Sequence, residues 1–589
     1  ECKIMKILMN EKGYSLILTM LIFLLFTVLS VSVLTVALSG VKRNQTSEDY
    51  VQARELANKG IEHITNQIQS DLKNELGEEG ITRSEFITKL NTILNRYKDV
   101  INSVHNTGAT GEYRVYIRNI ENVIENGEEN PLKKKITFLS RGFVDGKEKT
   151  VISEVEIGAQ SVLETLHYAL GANKLCKTPN TCIPGEGNMF LHGGVSITGD
   201  MKVDGNLIIT NRGYAYLSGE KWIASVYPSI LPTQGKANAN LLLGGNIFTF
   251  NHTPPYEQHI TTSNFGSSYT KLTDRIDDAF YNRQAPVIVK RQPIRDDIQI
   301  PAQKSVFYYK HNSPGVTIIK ANNRIISNQN RPNDKVYASH DECFFIWCNE
   351  KYDGDYTFTG NNLFKSFATA GSLTIRNSDN QFKQTTFKEG AYIEKNLTIG
   401  NGSNSYNPNN YDKIRVDGPI FVNGDLTIKG ADAEFNSIMY VMGDVTIEYS
   451  RINGLGQNGS LIIFANGNIN IRNNSVNQDE PSNIKGFFYS EQALEMFGVG
   501  SNIRIEGGIS ARRIVLNAIR GRASNQNFSG AQKITNNDYF EGAQNQIGKP
   551  SRLQIIYDPE IINTYADIKS REPVIKNLDP PKIINRDIE

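Results

Sequence analysis

Almost nothing in this chain is in excess. Lysine plus arginine number 63 and aspartate plus glutamate 62 over 589 residues, a formal net charge of +1. Nucleic-acid binding needs a concentrated basic surface, and none is present, so a nucleic-acid partner is excluded. No block of like charge exceeds Lys133-Lys134-Lys135, which reads as the start of a solvated strand. Histidines number eight, and none stands at a catalytic spacing from a cysteine, a serine or a second histidine. No G-x-x-x-x-G-K-[ST] phosphate loop is found. Ser510, in Gly507-Gly508-Ile509-Ser510-Ala511, lacks the following glycine that a nucleophile elbow needs. No cofactor is implied, and a local catalytic motif is missing.

Cysteine is scarce as well, at five. Cys2 stands apart, and the others form two close couples, Cys176 with Cys182 and Cys343 with Cys348. An even number in a translocated domain points to disulfides, and close couples point to local staples, although four cysteines allow three pairings. Zinc fits poorly: the spacings are C-x5-C and C-x4-C with no histidine close by, so no metal is expected. The acidic groups Asp274-Arg275-Ile276-Asp277-Asp278 and Arg295-Asp296-Asp297 are what charged loops show. Asp353-Gly354-Asp355 lacks the further ligands of a calcium loop.

Long apolar runs are absent except one. Gly13 to Val41 carries no charged residue, with Lys12 before it and Lys42 and Arg43 after it. A helix of that length crosses the ~30 Å hydrocarbon core of a bilayer. It is too long for the core of a cleaved secretory signal and has no A-x-A-like site. Lys3, Lys6 and Lys12 slightly outweigh Lys42 and Arg43, and a large following domain translocates largely regardless of charge. The expectation is a single-pass protein of the cytoplasmic membrane, N-terminus in and bulk outside. The chain opens on Glu1, and Met5 and Met9 are internal candidates for a start.

Past the span the helical period continues in polar surroundings. Ala53, Leu56, Ala57, Ile61, Ile64, Ile68 and Leu72 recur every three or four residues, up to Gly77 and Gly80. Thr82 and Glu85 have capping-box spacing, and Phe86, Leu90, Ile93, Leu94 and Tyr97 give a second helix its apolar face. The period then becomes two, through Tyr113, Val115 and Ile117, Ile136 and Phe138, and residues 151–157. Asp145-Gly146 between the last two runs is a hairpin turn.

From about Gly185 one pattern recurs: Val203-Asp-Gly-Asn-Leu-Ile-Ile209, Val422-Asn-Gly-Asp-Leu-Thr-Ile428 and Val441-Met-Gly-Asp-Val-Thr-Ile447. Looser copies lie at 370–375, 392–399 and 465–471. Each copy is a strand, a glycine turn and a second strand with inward apolar residues. Such a rung buries its face only by stacking, and asparagines at the turns can form side-chain ladders. The fold class is therefore mainly β: a long N-terminal helix with a small antiparallel sheet, then a right-handed β-helix, with a β-sandwich as the alternative. Residues 214–364 fit the repeat badly and read as an insertion or long loops. Tyr214, Tyr216, Trp222, Tyr308, Tyr309, Phe344, Phe345 and Trp347 gather there, as a small core or as stacking groups for a sugar or a partner protein. Residues 551–589 read as a last strand and a tail that wraps or caps the solenoid.

Asn10-Glu-Lys-Gly13-Tyr14-Ser-Leu-Ile-Leu-Thr19 resembles the type III signal of type IV prepilins: a short basic leader, a glycine, an aromatic residue, then the apolar helix. The resemblance, closest to PilX-type minor pilins, covers roughly residues 10–157 and more loosely the solenoid. It implies cleavage after Gly13 by a prepilin peptidase, Tyr14 as mature N-terminus, and partnership with other pilin-like subunits. It divides the chain into a leader (1–13), a span (14–41), a pilin-like module (42–160), the solenoid (161–550) and the tail. One departure stands out: Leu18 occupies the place of the glutamate that neutralises a neighbouring subunit's amine in a pilus body. The implied function is a structural cell-surface protein, a minor pilin or pseudopilin with the solenoid as spacer or adhesive head, with a surface glycan or protein as the expected ligand of such a head. An extracytoplasmic β-helix protein acting on polysaccharide is the alternative.

Overall fold

The computed structural model describes residues 11–77, 81–98, 102–105, 111–125, 128–159, 164–176, 178–250, 253–290, 309–569, 574–575 and 578–588. The chain is mainly β and divides into two compact units. One holds Glu1–Gly77, Arg83–Ala159 and Asn577–Glu589, the other Glu78–Thr82 and Gln160–Lys576.

In the first unit, α1 (Glu11–Leu76) runs unbroken from the apolar span into the amphipathic stretch. Ala53, Ala57, Ile61, Ile64, Ile68 and Leu72, spaced at three and four residues, are all buried, and Gly77 in the left-handed region (φ 61°) ends the helix. α2 (Arg83–Lys98) buries Phe86, Leu90, Ile93, Leu94 and Tyr97. The antiparallel sheet orders Asn102–His105, Gly111–Glu125, Glu128–Val144 and Lys147–Gly158 side by side. Asp145 and Gly146, both at positive φ (43° and 76°), make the tight turn between the last two. Helix and sheet meet through small residues. A methyl group on Gly142 would collide with the Ala53 carbonyl oxygen, and one on Gly60 would stand 2.6 Å from Val115 Cγ2.

The second unit is a stack of coils whose strands pair in parallel with those of the next coil. Leu397, Leu426, Val445 and Ile469 lie in one register, and Ile399, Ile428, Ile447 and Ile471 in another. All eight side chains are fully buried, each worth about 1.5–3 kcal/mol against exposure. A sandwich would pair its strands antiparallel.

The repeat's glycine has a specific reason. Asn396 Oδ1 accepts the backbone N–H of Asp425 at 2.9 Å, Asp425 Oδ1 that of Asp444 at 2.8 Å, and Asp444 Oδ1 that of Asn468 at 2.7 Å. This ladder of turn side chains climbs the stack one coil per step. A Cβ on Gly424, Gly443 or Gly467 would strike the ladder oxygen of the coil below. Gly443 is there for space. Gly443→Ala is expected to destabilise the stack by about 1–3 kcal/mol, read from the midpoint of urea unfolding. A stabilising change, as glycine to alanine gives at an open site, would refute the packing argument.

The stack does not follow chain order. Leu170–Ala172 and Met189–Gly193 pair with Ile503–Ala518 on one side. On the other side they pair with Met201–Val203 and Leu207–Thr210. The chain thus enters mid-stack and, among the described residues, walks outward as far as Val287–Lys290. It resumes at the far end with Val316–Lys320 and climbs back to Ile503–Ala518. Leu553–Tyr557 then pairs with Ile503–Gly507 and with Ser196–Thr198, so one coil is composite, built from residues 170–172, 189–193 and 553–557.

One reading of the sequence needs correction. Much of the stretch set apart as an insertion supplies stack strands, among them Ser229–Leu231, Asn240–Leu243, Ile247–Phe250 and Tyr356–Thr359. The residues just after Tyr557 lie along the flank of the stack. Glu560–Lys569 is a helix whose Ile561, Tyr565 and Ile568 cover the flank aromatics Phe464 and Phe487. Lys582–Ile588 pairs antiparallel with Lys147–Gly158 as the fifth strand of the first unit's sheet.

Candidate functional site

The first candidate is the exposed half of α1. From Leu16 to Val41 its large apolar side chains stand uncovered, and none of the most apolar window is buried. Hydroxyls inside the run turn back on the helix: Thr19 Oγ1 donates to the Ser15 carbonyl, Thr27 to Leu24, Ser32 to Val28 and Thr35 to Val31, at 2.7–2.9 Å. A hydroxyl satisfied this way needs no water, which suits it to a hydrocarbon setting. Gly13 and Tyr14 fall in the helix's first turn, and Leu18 is half exposed within the run. Residues 1–10, most of the leader, lie outside the described residues.

The four paired cysteines form two loops. Cys176 is joined to Cys182 and Cys343 to Cys348, with Cα atoms 4.8 and 4.0 Å apart. Glu186 organises the first loop. Its carboxylate accepts the backbone N–H groups of Leu175, Cys176 and Ile183 at 2.7–2.9 Å and pairs with Arg512 at 2.6 Å. Burial alone would raise this carboxyl, but Arg512 and the three amides outweigh it and hold it below the usual carboxylate range. Cys176, Cys182 and Glu186 place three metal-ligand atoms within 4.8 Å of one another, but the S–S bond occupies both sulfurs and Arg512 the carboxylate.

On the stack's flank, the hairpin of Arg212–Tyr216 and Glu220–Ala224 sets Tyr214 opposite Trp222. Tyr214 stacks on Tyr256 at 3.7 Å between ring centres. Both join Phe190, Ile208, Ile260 and Val515 in a buried cluster, so these aromatics are core. Tyr216 instead projects, 75% exposed, beside a recess of about 530 Å³ that Glu257, Arg472, Glu495 and Phe497 also line. Tyr309 is tied down by its hydroxyl on the Val336 carbonyl, Tyr308 and the 295–297 acidic group lie outside the described residues, and Phe344, Phe345 and Trp347 are exposed. Asp277 accepts the Ala285 N–H, Asp278 pairs with Arg275 and Arg283, and Asp355 is a rung of the turn ladder on the Ser372 N–H.

A chain of hydrogen bonds, with no signal in the sequence, runs behind the recess. His259 Nδ1 meets the Tyr269 hydroxyl at 2.8 Å, the two Nε2 atoms of His259 and His192 are 2.9 Å apart, and His192 Nδ1 meets Asn517 Oδ1 at 2.8 Å. Asn517 Nδ2 donates to the Tyr256 hydroxyl, which donates to Glu495 at 3.3 Å. One proton arrangement satisfies every member. Asn517 Oδ1 is an acceptor, so His192 carries its proton on Nδ1, and its bare Nε2 accepts from His259 Nε2–H. His259 Nδ1 then accepts from Tyr269. Both rings must be neutral for this, and burial pushes His192 down to about 4. Burial, then the neighbouring His192, push His259 down to about 2. Burial raises the Glu495 carboxyl in spite of Arg513 at 3.5 Å. With Tyr256 and Arg513 on it, Glu495 ends a structural chain and is not a free acid–base group.

The structure thus defines a class: a mainly β stack joined in sequence to an exposed apolar helix long enough to span a bilayer. No family model and no curated protein matches the chain. Similar solved structures include the crystal structure of competence-associated pilin ComZ from Thermus thermophilus, 12% identical, covering 92% of this chain and 98% of that one, at a TM-score of 0.19. A score that low bears on neither fold nor function.

Proposed function

We propose that the protein is a cell-surface structural component of pilin type. Its apolar half-helix sits in the cytoplasmic membrane beside the helices of other pilin-like subunits, and the β-stack stands outside as spacer or adhesive head. The observation that carries this reading is α1 itself: one unbroken helix, uncovered and apolar over the first half, then laid on a small sheet by Ala53, Ala57 and Gly60. Apolar packing alone discriminates poorly between helices in a bilayer. With Leu18 in place of an acid, the apolar run Gly13–Val41 offers no carboxylate to a neighbouring subunit's amine, which suits an initiating or decorating subunit better than one repeated along a fibre.

Mass spectrometry of the N-terminus from native membranes tests this. A mature chain beginning at N-methylated Tyr14 is the expected result, with Gly13→Leu blocking its formation. A mature chain that retains Lys12 would overturn prepilin processing and leave a plain anchored stack.

A further inference from the structure

Among the described residues outside α1, four consecutive apolar side chains at one hairpin tip stand out by their exposure. Phe344, Phe345, Ile346 and Trp347 are 76%, 88%, 87% and 75% exposed. The hairpin grows from the stack strand Asn330–Phe344 and returns along Trp347–Lys351. Phe344 lies opposite Trp347, and the next pair behind it, Cys343 and Cys348, is the second disulfide. Every residue from Asp341 to Lys351 is exposed, so nothing among the described residues covers the hairpin.

The turn residues point to a use for the tip. Two-residue hairpin turns favour Asn-Gly or Asp-Gly, because positive φ costs a bulky side chain. Here the turn is Phe345-Ile346, and Phe345 sits at φ 56°. The same chain uses Asp145-Gly146 where only a turn is needed. A strained aromatic residue with a staple directly behind it directs attention to what its side chain could meet.

We propose that this stapled tip inserts into the interface of a lipid bilayer poor in anionic headgroups. Size argues for lipid over protein: four side chains on a convex tip fall far short of the 20–30 residues a stable protein interface takes from each side. Composition agrees, since aromatic residues favour the headgroup level, where the Trp347 N–H finds a partner. Depth agrees too. Polar residues begin at Glu342 and Asn349, three positions behind the turn, or about 10 Å, the upper end of interfacial insertion. Asp341, Glu342 and Glu350 form an acidic collar, with Lys351 beside it and Lys320 already paired to Asp341. An anionic surface would repel such a collar.

The test uses the full chain with α1 seated in a phosphatidylcholine nanodisc. The sequence has two tryptophans, so a Trp222→Phe background leaves Trp347 as reporter. Phosphatidylcholine vesicles are added, with brominated chains placed either in the disc or in the vesicles. A blue shift and quenching of Trp347 are expected, and the brominated partner shows whether the tip enters the chain's own bilayer or an opposing one. Replacing a third of the vesicle lipid by phosphatidylglycerol should weaken vesicle insertion several-fold, and undiminished quenching there would remove the headgroup preference. Phe345→Gly relieves the turn and keeps the hairpin, so a several-fold loss of quenching in this folded variant is expected. Trp347 emission that neither bilayer shifts or quenches, or full quenching in Phe345→Gly, overturns the proposal and leaves the tip to a protein pocket.

Discussion

Arg552→Met is expected to destabilise the β-stack by about 3–5 kcal/mol, the scale for removing one member of a fully buried polar cluster. Arg552 is 1% exposed, and its guanidinium donates to the carbonyls of Val499 (3.2 Å), Ser501 (3.1 Å), Gln478 (3.0 Å), Gly500 (2.9 Å) and Gly521 (3.4 Å). Burial pushes the guanidinium down to about 10, a range in which it stays charged at neutral pH. Methionine fills similar volume but leaves five carbonyls without this donor, and each buried acceptor left bare costs about 1–3 kcal/mol before relaxation. Arg552→Lys should recover less than half of the loss, because an ammonium has three donors on a point and not five in a planar fork. Urea unfolding by circular dichroism reads both variants. A loss under about 1 kcal/mol for Arg552→Met would mean that water replaces the guanidinium at little cost.

Acid is expected to unfold the stack through His192 and His259. Their folded values, about 4 and about 2, lie below the ordinary 6.5, so the unfolded chain binds more protons. Their contribution is therefore fully present above pH 6.5 and is lost as pH falls toward the folded values. At about 1.4 kcal/mol per unit for each ring, the pair should remove about 5 kcal/mol between pH 6.5 and 4.5. Protonating both rings also breaks the chain, since two imidazolium Nε2–H groups cannot share one hydrogen bond. Denaturant midpoints measured across this range should fall steeply, and His192→Gln with His259→Gln should flatten the slope. An unchanged slope in the double variant would place the acid sensitivity elsewhere.

What could be read from the sequence was local. The span before Lys42, the amphipathic series from Ala53 to Leu72 and the turn at Asp145-Gly146 each declare themselves within a few residues. The rung from Val422 to Ile428 does so because one coil fits in one short repeat. The order of coils could not be read, because every rung offers its neighbours the same apolar face, and nothing local in Leu170 or Met189 says that its partner is Ile509 or Ile514. The aromatic residues of 214–364 read as a small core or as stacking groups; Tyr214 is core with Trp222 half-buried against it, while Tyr216 and Trp347 are exposed because of where their hairpins end. His192, His259 and Asn517 carry no spacing signal at all. Arg552 reads as an ordinary surface arginine before the last stack strand, and its burial follows only from the loops at Gln478 and Val499–Ser501 that close around it.

The composite coil also bears on how the protein reaches its native state. A repeat stack laid down in chain order can nucleate anywhere and grow by adding neighbours. Here Leu170 must wait for Ile509 and Ser196 for Gln554, so the strands synthesised first stay half-paired until almost the whole unit has been made. Contacts that distant in sequence are slow to form, and until they do the edges of two half-stacks are open to the wrong strands. The coil that joins the two halves is complete only when Leu553–Tyr557 lies between Ile503–Gly507 and Ser196–Thr198, with Arg552 on the loop beside it, so the middle of the stack depends on the last strand made.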